Sequence, residues 1–184
     1  MKNKTLPFLV ILLTLLLAHN ALSPGNISED VYIPPPPMDP PFLKADTAWV
    51  DSLMETMSLE EKIGQLFMIA SYPRQGEVQA AFVEKMIRKY HVGGIIFFKG
   101  SPVRMAALNN RFQQSAHTPL MMALDGEWGL SMRLDSVVDY PTQIMLGAIR
   151  QDALIYRLGY EMGEQFKAMG IHVNFAPVAD LNNK

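Results

Sequence analysis

Short, wholly apolar runs separated by amphipathic stretches constrain this chain more than any other feature. Ile95–Phe98 and Leu120–Leu124 are apolar throughout, with Phe67–Ala70 before them and His172–Val178 after. Runs of this length without polar alternation are buried on both faces, as in a parallel sheet covered by helices. Between them, Glu77–Tyr90 places Val78, Phe82, Met86 and Ile87 on one helical face. Pro102–Ser115 turns Met105, Leu108 and Phe112 inward. Asp152–Met169 is a third long helix, with Asp152 near its start and Gly170 just past its end. Four such β-units make half of an eight-unit barrel. The expected fold class is therefore α/β: a (β/α)8 TIM-type barrel of which this chain holds the N-terminal half, about four β-units. An open four-stranded sheet is the alternative. It is disfavoured because no terminal helix covers the last strand.

Three segments follow from composition. Residues 1–21 read as a signal peptide: Lys2 and Lys4 form a positive n-region and Phe8–Ala18 is almost wholly apolar, with Ala18, Ala21 and Ser23 near the cleavage zone. A buried N-terminal helix and an uncleaved anchor are the rivals. Export implies a periplasmic or secreted protein that meets the membrane only through this segment. Residues 22–45 read as a linker, because Pro34–Pro41 lacks most backbone donors and favours extended polyproline II. Residues 46–184 form the folded part. It opens with a helix over Asp46–Met57, where Trp49 is a core anchor or a domain-contact residue. Ser58 and Glu61 then form a capping box at the start of a helix running through Leu66.

Several function classes drop out. A net charge of −2 leaves no electrostatic footprint for nucleic acid. The chain has no cysteine, which removes disulfides, thiolate metal sites and a cysteine nucleophile. No metal-ligand spacing occurs and no cofactor is called for. The thirteen methionines read as core filler.

The chemistry concentrates in Pro119–Arg133. Leu120–Leu124 delivers Asp125 at its carboxyl end, into a turn carrying Glu127, Trp128 and Gly129, and Arg133 follows eight residues after the aspartate. Barrel enzymes place ligands at that end of their strands. Carboxylates accept hydrogen bonds from hydroxyls, a guanidinium donates in a fixed fork, and an indole covers an apolar sugar face. The loop suits a polyhydroxylated ligand.

The motifs TMSLEEKIGQLFM, GGIIFF, PLMMALDGEWGLSMR, YPTQIMLGA and GIHVNFAPVADLN, in this order, resemble family 3 glycoside hydrolases, closest to the bacterial β-N-acetylhexosaminidase branch. The resemblance implies an exported retaining hydrolase that removes terminal β-linked N-acetylhexosamine from an N-acetylglucosamine-containing glycan or peptidoglycan fragment. It implies that Asp125 and Arg133 contact the non-reducing sugar, and that Glu127, Trp128 and Gly129 support their loop. The family's branch commonly has two glycines after the glutamate; Trp128 replaces the first. A histidine–glycine pair typical of the β-glucosidase branch is absent.

The resemblance assigns no catalytic residue to this chain. Asp125 and Glu127 tempt one towards the carboxylate pair of a retaining glycosidase. The family's nucleophilic aspartate, however, comes from a later strand, and its acid/base from a later histidine–aspartate dyad. The expected fragment is therefore inactive alone. His91, His117 and His172 fall at the amino ends of strands, where ordinary structural roles are expected, and His19 lies in the signal segment. Lys99 follows the second strand, either near the ligand or as a solvated loop residue. Asp180 and Asn182 either orient loops or terminate the fourth strand. Two rival functions remain: a β-glucosidase-type hydrolase of the same family, and a non-catalytic sugar-binding half-barrel. A phosphate-binding enzyme is disfavoured because Gly93-Gly94 precedes a strand instead of opening a helix.

Overall fold

The computed structural model describes residues 40–178. The signal-peptide assignment, the linker up to residue 39, and Asp180 and Asn182 lie outside the described residues.

Four strands pair in parallel and in chain order: β1 (Met68–Ser71), β2 (Gly94–Phe97), β3 (Met121–Leu124) and β4 (Val173–Asn174). The register runs Met68 to Gly94 to Met121, and Ala123 meets Val173. A parallel pair needs a crossover, and here helices supply it. Helix α3 (Gly76–Tyr90) links β1 to β2, and α4 (Pro102–Ser115) links β2 to β3. The long β3–β4 crossover carries the short α5 (Gln143–Leu146) and then α6 (Asp152–Ala168). Before β1 stand α1 (Ala48–Thr56) and α2 (Leu59–Gly64).

Alternation along the strands decides where the core lies. Ile95, Phe97, Met122 and Leu124 are fully buried with Ala80, Val83 and Ile87 of α3 and Met105, Leu108 and Phe112 of α4. Phe97 and Phe112 stack with centroids 6.2 Å apart. Each such side chain contributes about 1.5–3 kcal/mol by leaving water. The inward face expected for α4 is the one observed.

The face expected for α3 holds only at Ile87. Val78 and Phe82 are 85% and 56% exposed, whereas Ala80, Val83 and Ile87 point at the sheet. At 100° per residue the exposed and buried stripes are about 150° apart. The small Ala80 lets the helix approach the strands, and the larger residues face away. Met86 sits with Ile63, Phe67, Ile69 and Tyr90 in a 580 Å³ groove along the free edge of β1. Trp49 also departs from expectation: no residue of α1 is buried, and Trp49 is 61% exposed. It lines a groove at the amino ends of the strands with Leu66, Phe67 and Met121, so it is no core anchor among the described residues.

Local signals set the helix ends. Ser58 Oγ accepts from the Glu61 amide at 3.2 Å, and the Glu61 carboxylate accepts from the Ser58 amide at 2.8 Å. Those bonds hold the Glu61 carboxyl below its usual value, the Ser58 backbone N–H contributing most. Helix α2 nevertheless ends at Gly64, two residues before Leu66, as the Phe67 amide turns back to the Gly64 carbonyl at 3.0 Å. Gly170 follows α6 with φ of 67°, and buried Asn109 of α4 donates to the carbonyls of Met169 and Gly170, both at 3.1 Å. Strand β4 is much shorter than His172–Val178. Only two of its residues pair with β3, and Pro177 has no N–H to extend the ladder.

Candidate functional site

The carboxyl ends of β1, β2 and β3 are joined above the sheet by backbone hydrogen bonds between their loops. The Arg74 amide donates to the Lys99 carbonyl at 3.3 Å. The Gly100 amide donates to the Arg133 carbonyl, and the Asp135 amide to the Gly100 carbonyl, both at 3.1 Å. This stitching makes three loops one rim.

Asp125 is the first residue after β3, so the strand fixes its backbone. The Arg133 guanidinium donates from Nη2 to Asp125 Oδ2 at 2.6 Å. The side chain of Arg133 is 17% exposed and that of Asp125 27%, so the pair is sheltered yet reachable. The guanidinium carbon lies 5.0 Å from the centroid of the Phe98 ring, which in turn stacks on Tyr72 with centroids 5.0 Å apart. A flat cation over an aromatic face is held in orientation as well as in place. Arg133 Nε is buried without an acceptor among the described residues. Asp125 Oδ1 makes no hydrogen bond to them either, so one oxygen is committed to Arg133 and the other is available to a donor.

The rest of the loop is held mainly by its backbone. The Gly126 amide donates to Asn174 Oδ1 at 2.9 Å, and Asn174 Nδ2 returns a bond to the Gly126 carbonyl at 3.2 Å. This reciprocal clamp ties the turn to the end of β4. The Glu127 amide donates to Met132 Sδ at 3.4 Å, and Gln143 Nε2 donates to the Glu127 carbonyl at 2.6 Å. The Glu127 carboxylate makes no hydrogen bond among the described residues; it lines a 740 Å³ groove with Asn174 and residues of α6. The Trp128 carbonyl accepts from Ser131 Oγ at 3.3 Å. Gly129 has φ of 88°, and a Cβ there would sit 2.7 Å from the Tyr140 ring, so the turn needs glycine. Gln165 Nε2 in turn donates to Tyr140 Oη at 2.7 Å.

The structure brings Asp125 and Arg133 together and places Gly129 at the hinge of their loop. It sets Glu127 on the opposite side, towards α6. Lys99 is exposed on the rim, at the carboxyl end of β2. The three described histidines lie at the other end. His172 Nδ1 accepts from the Met122 amide at 3.0 Å, His91 Nδ1 stands 3.9 Å from Glu61, and His117 is exposed before β3. Among the described residues no group of three His, Cys, Asp or Glu side chains is placed to hold a metal. Asn174, Phe98, Gln143 and Met132 are site-supporting residues that sequence reasoning passed over. Only Asn174 carried a signal, as a lone amide inside an otherwise apolar strand.

Comparison with known proteins identifies the family. The glycosyl hydrolase family 3 N terminal domain matches residues 58–184. A Beta-N-acetylglucosaminidase/beta-glucosidase of Cellulomonas fimi is 27% identical over 135 residues, covering 73% of this chain and 23% of that protein. Beta-hexosaminidase LpqI of Mycobacterium tuberculosis is 26% identical over 172 residues, covering 90% of this chain and 42% of its own length. The chain thus spans less than half the length of these curated relatives. A solved structure, beta-glucoside phosphorylase BglX bound to 2FGlc, superposes with a TM-score of 0.57 at 19% identity, over 70% of this chain and 23% of that one, which supports the fold. The family match covers most of the chain, from the capping box of α2 through the Asp125 loop and β4, and the chain belongs to glycosyl hydrolase family 3.

Proposed function

We propose that the full protein is an exported glycoside hydrolase that removes terminal β-linked N-acetylhexosamine, chiefly N-acetylglucosamine, with retention of configuration. In this reading Asp125 accepts hydrogen bonds from hydroxyls of the non-reducing sugar, and Arg133 orients Asp125 and donates to the same ring. The single observation that carries it is the sheltered Asp125–Arg133 pair at the carboxyl end of β3, with Oδ1 left open. A charge-assisted contact of this kind positions a sugar ring, and orientation counts towards the rate as well as towards binding. The names of the relatives support a hexosaminidase, and one of them carries β-glucosidase activity in its name as well.

The same reading takes the four strands as the first half of a (β/α)8 barrel, with the nucleophile and acid/base supplied by later strands. The inner face of the sheet supports this. Met68, Ala70, Ile96 and Met121 alternate with the core residues and remain partly or largely exposed, as expected of a surface that other strands would fill, while the small Gly94 and Ala123 of the same face are buried between them. Export is proposed on the N-terminal pattern, and N-terminal sequencing of the protein from its native host tests it. A soluble cytoplasmic protein retaining Met1–Ala18 would overturn it.

Steady-state kinetics of the full-length protein on paired aryl N-acetyl-β-glucosaminide and β-glucoside test the activity. Higher kcat/KM on the first is expected. A clear preference for the glucoside would assign the protein to the glucosidase reading. Hydrolysis of neither would reject the enzyme reading.

A further inference from the structure

We propose that the rim carries an oxyanion subsite, built by Lys99, Arg74 and Arg133, that recognises a carboxylate or phosphate beside the sugar held by Asp125. The proposal rests on the glycosidase reading for the identity of the neighbouring sugar, though the subsite itself is readable without it. Two adjoining cavities of 280 Å³ each are lined by the same three cations. Tyr72 and Phe98 form the wall of the first; Ser131 and Asp135 border the second.

The charge balance is what points to an anion. Arg133 is paired with Asp125, and Arg74 stands 3.6 Å from Asp135 with both side chains at least half exposed. Lys99 has no carboxylate partner among the described residues, so three cations face two carboxylates. The next charges outward leave that excess unchanged. Arg104 Nε donates to the Pro73 carbonyl at 2.6 Å behind the rim, and Asp139 accepts from Ser131 Oγ at 2.7 Å. Arg133 Nη1 also donates to no described residue, which leaves the guanidinium able to engage a second acceptor beside Asp125. Lysine offers a point charge and arginine a fork, a combination suited to a tetrahedral or planar oxyanion.

Preorganisation separates this cluster from scattered surface cations. The backbone bonds from Arg74 to Lys99 and from Gly100 to Arg133 fix the three Cα positions with respect to one another. Binding an anion there costs little loop ordering. Because Arg133 touches both Asp125 and the cavities, the anion would lie next to the proposed sugar, as a group borne by the same glycan or as a free ion.

Two measurements on the full-length protein test this. The first is calorimetric titration with inorganic phosphate. Wild type should bind, Lys99→Gln should weaken binding about tenfold, and Lys99→Arg should retain it. The second compares kcat/KM for an aryl N-acetylglucosaminide bearing a carboxylate with that for its methyl ester. If the oxyanion belongs to the glycan, wild type favours the acid about tenfold, and Lys99→Gln or Arg74→Gln brings the ratio towards one. If it is a free ion, phosphate binds and depends on Lys99 while acid and ester are cleaved alike. The proposal is overturned if phosphate does not bind and the ratio is one in wild type, or if Lys99→Gln and Arg74→Gln change neither quantity. Failure to cleave even the ester would count against the glycosidase reading alone, since the phosphate titration reads the subsite without turnover.

Discussion

Two arginine–carboxylate clusters in this molecule make opposite use of the same chemistry. On the outer face of the helices, Arg111 of α4 donates from Nη1 to Glu77 at 2.9 Å and from Nη2 to Glu84 at 2.5 Å. Glu84 also accepts from Ser115 Oγ at 2.9 Å and lies 3.6 Å from Arg88. Arg111 bonds two carboxylates and Glu84 has three partners, so the cluster staples α3 to α4. At the rim, Arg133 has one carboxylate partner and an aromatic face, and Asp125 keeps an oxygen open. A saturated cluster is complete in the free protein. A cluster with unspent donors and acceptors, sheltered but reachable, is completed by something else. The number of arginine contacts does not distinguish them; what is left over does.

The contrast breaks most sharply at Asp125. In the full-length protein Asp125→Ala should lower kcat/KM on the preferred glycoside by about 100-fold or more, through lost orientation of the sugar. Wild-type-like kcat/KM would place Asp125 with the stapling carboxylates. Arg133→Ala should cost about 10- to 100-fold in the same assay, since Asp125 loses its orienting partner. Gly129→Ala tests whether the site depends on its hinge. The strained φ and the Tyr140 contact predict a loss of about 1–3 kcal/mol, read as a lower thermal midpoint. An unchanged midpoint would mean the turn re-forms another way. Glu127→Ala should shift stability by less than about 0.5 kcal/mol, because the loop uses that residue's backbone and not its carboxylate.

The stapling cluster answers to acid instead. Arg111 holds the Glu77 and Glu84 carboxyls below their usual value of 4.5, chiefly by direct hydrogen bonds. With folded values below unfolded ones, their stabilisation is present in full above that value and is lost as pH falls through the lowered folded values. Thermal midpoints measured from about pH 6 to pH 3 should therefore fall less steeply in Arg111→Gln than in wild type. The same variant should stay within about twofold of wild-type kcat/KM, because the cluster lies away from the rim. Equal slopes would show that other carboxylates, such as Glu61, dominate acid lability.

Much of the frame was legible because local rules agreed with one another. Pro102–Ser115 has one apolar stripe, and Met105, Leu108 and Phe112 meet the sheet as that stripe requires. The Ser58–Glu61 capping box likewise needs only four residues. Helix α3 was misread because it carries two apolar stripes, and periodicity cannot say which one meets the sheet. Of the two readings of Trp49, the core anchor fails because α1 lies at the end of the strands and buries no residue. In the site, Asp125 and Arg133 were legible as charged residues after a buried strand. The clamp from Asn174 to Gly126 and the joins among the loops of β1, β2 and β3 were not. Contacts between positions 48 residues apart, or made by backbone alone, leave no mark in residue type.

The joined rim also bears on how such a protein can diversify. Its loops are held to one another by main-chain atoms at residues 74, 99, 100, 133 and 135; Gly100 is packed against Pro73, but at 74, 99 and 135 any amino acid other than proline can supply the donor where one is needed. Side chains at positions 74, 99 and 135 can then be exchanged without redirecting the chain beneath them. Substrate preference becomes a matter of single codons on a constant frame, with Asp125 and Arg133 kept as the common anchor. On the glycosidase reading, a lineage built this way moves from one glycan to another by small steps, each of them a folded protein.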